Sequence, residues 1–83
     1  MDTRTPPTAH RPRVRVTQPR GGVIDARLRW WHRDDAGAWW ALVEYDGWAA
    51  GADHVYVMVV PAGAVTRLQG EDYSGVARKQ ARR

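Results

Sequence analysis

The chain contains no cysteine and no phenylalanine, and it has one serine and one lysine among its 83 residues. Without cysteine, disulfide cross-links and the thiolate ligands of zinc fingers and zinc ribbons are excluded. The longest apolar run, residues 55–60, is much shorter than the roughly 20 residues of a membrane-spanning helix. The N-terminus lacks the apolar segment of a signal peptide. We therefore expect one small soluble domain in the cytoplasm, with no membrane partner.

Sequence motifs of catalysis are missing as well. Ser74 is the only serine, and the chain has no nucleophile elbow, phosphate-binding loop or dinucleotide-binding glycine motif. The three histidines, His10, His32 and His54, do not have the spacing of a helical zinc site. We expect a protein that is not an enzyme, with no catalytic residue, no metal site and no cofactor.

What the chain does have is typical of β-structure: ten valines, five tryptophans and three tyrosines, against three leucines and one isoleucine. Alternating or continuous apolar runs predict short strands at residues 14–17, 23–33, 39–45, 55–60 and 65–68. A turn at 34–37 and a Gly- and Ala-rich loop at 46–53 separate the longer runs. These strands predict an all-β fold, a small barrel of about five short strands over residues 14–68.

The ends of the chain carry its excess positive charge. The formal net charge is +4, and the surplus of arginine and lysine lies before residue 23 and after residue 68. We expect a disordered basic, Pro-rich tail at 1–13 and a basic tail or short helix at 69–83, with 1–11 and 77–83 mobile. Basic ends of this kind are typical of nucleic-acid-binding proteins, and they occur equally as tails that only confer solubility.

Two segments carry a family resemblance. Residues 37–42, GAWWAL, resemble the G-x-W-W-x-A strand of Src-homology-3 (SH3) domains. Residues 59–68, VVPAGAVTRL, resemble the V-P-x-x-Y-V-x-x-L element of those domains, in which a one-turn 3₁₀ helix leads into the last strand. The resemblance covers residues 14–68 and implies a small SH3-like or Tudor-like barrel of a diverged bacterial form.

The proline-rich peptide groove of that family is only partly represented. The sequence has no A-L-Y-D-Y first strand, and residues 18–22 leave no room for the acidic loop that follows it in the family. Ala64 stands where an aromatic residue is expected before the last strand. Trp39 alone carries over as a groove residue, so the resemblance implies the barrel and not polyproline recognition.

Adjacent tryptophans occur twice, at 30–31 and 39–40. Neighbouring side chains on a strand point to opposite faces, so at least one tryptophan of each pair is expected outside the core. Alternation along 23–33 places Trp30 inside and Trp31 outside. Exposed tryptophans favour binding, and we expect protein–protein interaction or self-association through Trp31, Trp39 and Trp48, the last in the predicted loop.

The alternative function is nucleic-acid binding, in particular DNA binding. On the predicted outer face of the 23–33 strand, arginines alternate with Trp31, a pattern that can stack bases and pair phosphates. The expected contacts, from this face and from the basic ends, are Arg11, Arg13, Arg15, Arg27, Arg29, Arg33, Arg78, Lys79, Arg82 and Arg83.

Overall fold

The structure is a computed structural model that describes residues 11–80, without the side chains of Trp48 and Ala49. It contains six strands: β1 (Arg13–Thr17), β2 (Val23–Arg33), β3 (Trp39–Ala49), β4 (Ala52–Pro61), β5 (Val65–Arg67) and β6 (Ala77–Gln80). A 3₁₀ helix (Ala62–Ala64) leads from β4 into β5. The all-β prediction is confirmed, and the 3₁₀ turn lies where the resemblance placed it.

The strands form one sheet in the order β4-β3-β2-β1-β5, with neighbouring strands antiparallel. β6 pairs with β2 in parallel, from Trp30↔Ala77 to Arg33↔Gln80. β1 pairs with the first half of β2, from Val23 to Arg27, so β1 and β6 lie end to end along the same edge of β2. Among residues 11–80, β4 and β5 are the outer strands of this path and the sheet is not closed.

The core lies on one face of the curved sheet, and β1 and β2 supply most of it. Val14, Val16 and Leu28 are fully buried, as the alternation predicts. At Arg29 the register between β2 and β3 shifts by one residue. A β-bulge of this kind reverses which face the following side chains occupy. Trp31 therefore lies in the core and is 7% exposed, which corrects the expectation that it is the outward member of its pair.

The folded domain begins earlier than the sequence pattern indicates. The side chain of Pro12 is fully buried, and its carbonyl oxygen accepts a hydrogen bond from the backbone N–H of Leu28 at 2.9 Å. Arg13 starts β1, and Arg11 forms an ion pair with Glu44. Residues 11–13 thus belong to the domain and not to a tail, while residues 1–10 of the predicted tail lie outside the described part of the chain.

The C-terminal segment is also part of the fold. The hydroxyl of Tyr73 accepts a hydrogen bond from the backbone N–H of Leu68 at 2.8 Å and donates one to the carbonyl of Arg13. Tyr73 and Val76 pack against the core, and β6 follows. Residues 77–80 are therefore a strand, where a mobile tail or a short helix was expected. All four residues of β6 are exposed. The strand therefore needs no apolar side chains, and its sequence shows no apolar alternation that would predict it.

The hairpin of β3 and β4 is longer than predicted. Its turn consists of Ala50 and Gly51, both with positive φ, at 54° and 80°. Turns with two positive φ angles match the twist of the flanking strands. Most of the predicted 46–53 loop is therefore strand, and the backbone of Trp48 pairs with Asp53 across the hairpin.

Candidate functional site

An open groove of about 470 Å³ lies where the ends of five elements meet. β2, β3, the 3₁₀ helix, β5 and β6 each contribute to its walls. The lining residues are Trp31, Trp39, Ala62, Val65, Arg67 and Arg78. The groove therefore combines an aromatic and aliphatic surface with two guanidinium groups.

Trp39 provides the exposed aromatic surface of the groove. It is the first residue of β3, pairs with Arg33 of β2 and is 42% exposed. The exposure expected for Trp39 is thus present. Trp39 directly follows the turn between β2 and β3, so the hydrogen bonds of that turn fix its position.

Asp34 organises that turn. One carboxylate oxygen accepts hydrogen bonds from the backbone N–H groups of Ala36 at 3.0 Å and Ala38 at 2.9 Å. The other accepts the indole N–H of Trp40 at 2.9 Å. The bond from Trp40, followed by that from Ala38, lowers the pKa of Asp34 below its ordinary value, because hydrogen bonds donated to a carboxylate favour its charged form. The turn and the start of β3 are therefore held by an ionised side chain.

Arg67 of β5 also lines the groove. Its guanidinium lies 5.4 Å from the ring centre of Trp31 and 5.6 Å from that of Tyr73. Both distances are within the range of cation–π attraction. Among the described residues, neither Arg67 nor Arg78 forms an ion pair. Both charges are available to an incoming anionic group, and Arg67 was not among the predicted site residues.

A second aromatic and cationic pair lies on the neighbouring part of β2 and β6. The ammonium group of Lys79 lies 3.7 Å from the ring centre of Trp30, and Arg29 approaches the same ring at 5.4 Å. Trp30 is only half-buried, although alternation along β2 predicted it in the core. The bulge at Arg29 accounts for the exchange of Trp30 and Trp31.

Two of the three arginines on the predicted nucleic-acid-binding face, Arg27 and Arg29, are paired with carboxylates. Glu44, only 6% exposed, forms ion pairs with Arg11, with Arg27 at 2.9 Å and with Arg29 at 3.6 Å. Arg27 also makes a bidentate contact with Asp46, at 3.0 and 3.1 Å. This contact lowers the pKa of Asp46, and the hydrogen bonds from Arg27 to Asp46 and Glu44 raise the pKa of Arg27. Glu44 and Asp46 thus offset part of the positive charge of these arginines, so the predicted phosphate face carries less free positive charge than its sequence indicates.

The remaining predicted cations are dispersed. Arg15 lies 3.4 Å from Asp25 on the exposed face of β1 and β2, and the backbone N–H of Arg13 donates to Glu71 at 2.7 Å. Arg33 ends β2 beside the turn, and Arg78 and Lys79 lie on β6. Arg82, Arg83 and the side chain of Trp48 lie outside what the structure describes. Of the predicted site residues, the groove brings together Trp31, Trp39 and Arg78.

Within residues 11–80, no three histidine, aspartate or glutamate side chains come close enough together to hold a metal ion. No helix in that range has the length and apolar character needed to cross a membrane. Comparisons with protein-family models, curated proteins and solved structures gave no match to this chain.

Proposed function

We propose that this chain is a non-catalytic interaction module with an SH3-like barrel, and that its groove binds a short extended segment of a protein partner. The observation that carries the proposal is the groove itself, which exposed Trp39 lines together with Arg67 and Arg78, two arginines that form no ion pair within residues 11–80. The five-strand path and the 3₁₀ turn before β5 support the SH3-like assignment, as do the two sequence motifs.

The charge of the groove points to the chemistry of the partner segment. Arg67 and Arg78 line it, and none of the described residues that line it is acidic. Guanidinium groups bind carboxylates through charge-assisted hydrogen bonds, and a tryptophan face packs well against proline and aliphatic side chains. The groove therefore favours an extended segment in which carboxylates alternate with apolar residues or prolines.

Titration of the protein with a peptide of alternating glutamate and proline tests this proposal, with tryptophan fluorescence or calorimetry as the readout. Trp39→Ala should weaken binding about 30-fold, because a tryptophan anchor contributes ~2 kcal/mol or more. Arg67→Ala and Arg78→Ala should each weaken it, whereas Arg20→Ala, an exposed arginine in the β1–β2 turn, should not. The matching peptide of alternating lysine and proline should not bind.

Equal binding of the two peptides, or an unaltered affinity of the Trp39→Ala variant, would refute the proposed ligand. The alternating Glu-Pro sequence is used because it adopts an extended conformation without further ordering. The measured affinity therefore reflects contacts with the groove and not the cost of ordering the peptide.

Nucleic-acid binding is the second candidate, and the cations at half-buried Trp30 and in the groove of exposed Trp39 favour it. Lys79 at Trp30 and Arg78 near Trp39 could contact phosphates while the rings stack on bases. A gel shift with single-stranded and duplex DNA at two salt concentrations separates the candidates. Binding through about six phosphates should weaken roughly a thousandfold between about 50 and 200 mM salt. DNA binding that is lost on Lys79→Ala together with Arg78→Ala would favour this second function.

A further inference from the structure

The outer edge of β4 is unlike the other free edges of the sheet. β4 has ten residues and, within residues 11–80, it pairs with β3 alone. β5 and β6 have three and four residues and carry Arg67, Arg78 and Lys79. Short length and charged side chains protect an edge strand from pairing with another chain. β4 has neither protection over residues 54–60, which contain no aspartate, glutamate, lysine, arginine or proline.

One face of the same strand is an exposed apolar row. Val55, Val57 and Val59 are 60%, 47% and 59% exposed, while Tyr56, Met58 and Val60 of the opposite face are half-buried. Five large hydrophobic residues are exposed in the described part of the chain, and these three valines are among them. They lie on one face of β4, the strand with the longest unprotected edge. A row of this kind is typical of an interaction surface.

From these observations we propose that two copies of this chain associate through antiparallel pairing of β4 with β4. A two-fold interface is self-complementary, so one residue of the strand lies opposite its own copy. Val57 is the midpoint between Asp53, the only acidic residue of β4, and Pro61, which ends it. With Val57 on the axis, Val55 of one copy faces Val59 of the other, and the whole uncharged segment is paired.

The charges at the ends of the segment favour this register. Asp53 of each copy then lies opposite Pro61 of the other, and the two aspartates are about 27 Å apart at ~3.4 Å per residue. A shift of the axis toward Asp53 brings the carboxylates together, and a shift the other way moves Pro61, which has no N–H to donate, into the paired region. The dimer joins the two five-strand paths into one continuous sheet.

Sedimentation of the full chain between about 1 µM and about 1 mM, the range of weak to moderate dissociation constants, tests the association. The wild type should pass from monomer to dimer within this range. Val57→Lys should weaken the dimer at least tenfold, because it places two like charges directly opposite each other. Val23→Lys is the matched control, since Val23 is 55% exposed on β2, away from this edge. A wild type that stays monomeric, or a Val57→Lys variant that dimerises as well as Val23→Lys, would overturn the proposal.

The absence of cysteine makes the register directly testable. Cα atoms of directly opposed residues in an antiparallel pair are about 4.5–5.5 Å apart, which is within the range that a disulfide bridges. Val57→Cys should therefore oxidise readily to a covalent dimer, and Val55→Cys and Val23→Cys should do so much more slowly. Equal rates for the three variants would contradict the register. Trp39→Ala should dimerise normally and Val57→Lys should still bind the Glu-Pro peptide, so this proposal and the proposed function can fail separately.

Discussion

The carboxylate of Asp34 accepts the indole N–H of Trp40 at 2.9 Å and thereby connects the β2–β3 turn to the first residues of β3. Asp34→Ala removes this bond together with the two backbone N–H bonds of the turn. We expect the variant to have a lower melting temperature. It should also bind the Glu-Pro peptide more weakly, because Trp39 adjoins the turn. Asp35→Ala, the exposed neighbour, is the control and should leave both properties unchanged. Equal melting temperatures for the two variants would contradict the role of Asp34.

Acid should destabilise the protein through the same carboxylate. The folded state holds the pKa of Asp34 below its ordinary value of 3.8, so the stabilisation is fully present well above that value. It is lost as the pH falls through the unfolded and then the folded pKa. The melting temperature of the wild type should therefore fall below about pH 4. Asp34→Asn should show a flatter acid limb in a pH series of thermal melts, and an acid limb as steep as that of the wild type would contradict the role of Asp34.

Gly47 is required by the ring of Tyr56, which lies across the β3–β4 hairpin. A Cβ at position 47 would come within 2.5 Å of the ring carbon Cε2 of Tyr56, and that ring stacks on Tyr45 at 5.5 Å between centres. Moving the ring breaks the stack, so Gly47→Ala should destabilise the fold by about 1–3 kcal/mol. At Gly63 an added Cβ meets nothing within 4 Å, so Gly63→Ala is the matched control. Denaturant unfolding of the two variants compares them, and equal midpoints would contradict the proposed clash.

The buried carboxylate of Glu44 should contribute more to the free energy of unfolding than the exposed carboxylate of Asp46. Glu44→Gln keeps the shape of the side chain but leaves Arg11, Arg27 and Arg29 without their shared countercharge. Removing one member of a buried ion pair leaves the other charges uncompensated, so we expect a loss of about 2 kcal/mol or more in the free energy of unfolding. Asp46→Asn removes a carboxylate whose side chain is 69% exposed, and its effect should be clearly smaller. The reverse order of the two losses would contradict this description of the cluster.

The fold could be predicted from the sequence where apolar alternation marks a strand. Val14 and Val16 in β1 show it directly, whereas β4 is marked by a continuous apolar run, and Trp39 follows turn residues that the sequence also reveals. The bulge at Arg29 could not be predicted, because no glycine or proline marks it, and it reverses Trp30 and Trp31. Because of this reversal, Trp31, a predicted binding residue, lies in the core, and its neighbour Trp30 lies beside Lys79.

The partners of the arginines could not be predicted for a different reason. Alternation along β2 places Arg27 and Arg29 outside the core, but it does not show that Glu44 of β3 lies across from them. The register of β2 against β3 decides that Arg27 pairs with Glu44. Segment charge alone therefore overestimated the free positive surface of the domain and did not reveal Arg67, whose partners are the rings of Trp31 and Tyr73.

The last four described residues should stabilise the fold, although their sequence, ARKQ, resembles a solvated tail. β6 supplies parallel pairing to the second half of β2, and Lys79 lies over the ring of Trp30 at 3.7 Å. Deleting residues 77–83 removes this pairing and a cation–π contact, together worth at least about 1 kcal/mol. We expect a lower melting temperature and a red-shifted tryptophan emission as Trp30 and Trp31 become hydrated. Deletion of 81–83 alone is the control, since it removes two of the basic residues at this end and leaves β6 in place. If both truncations melt at the wild-type temperature, β6 does not stabilise the domain and the segment behaves as the tail that its composition suggests.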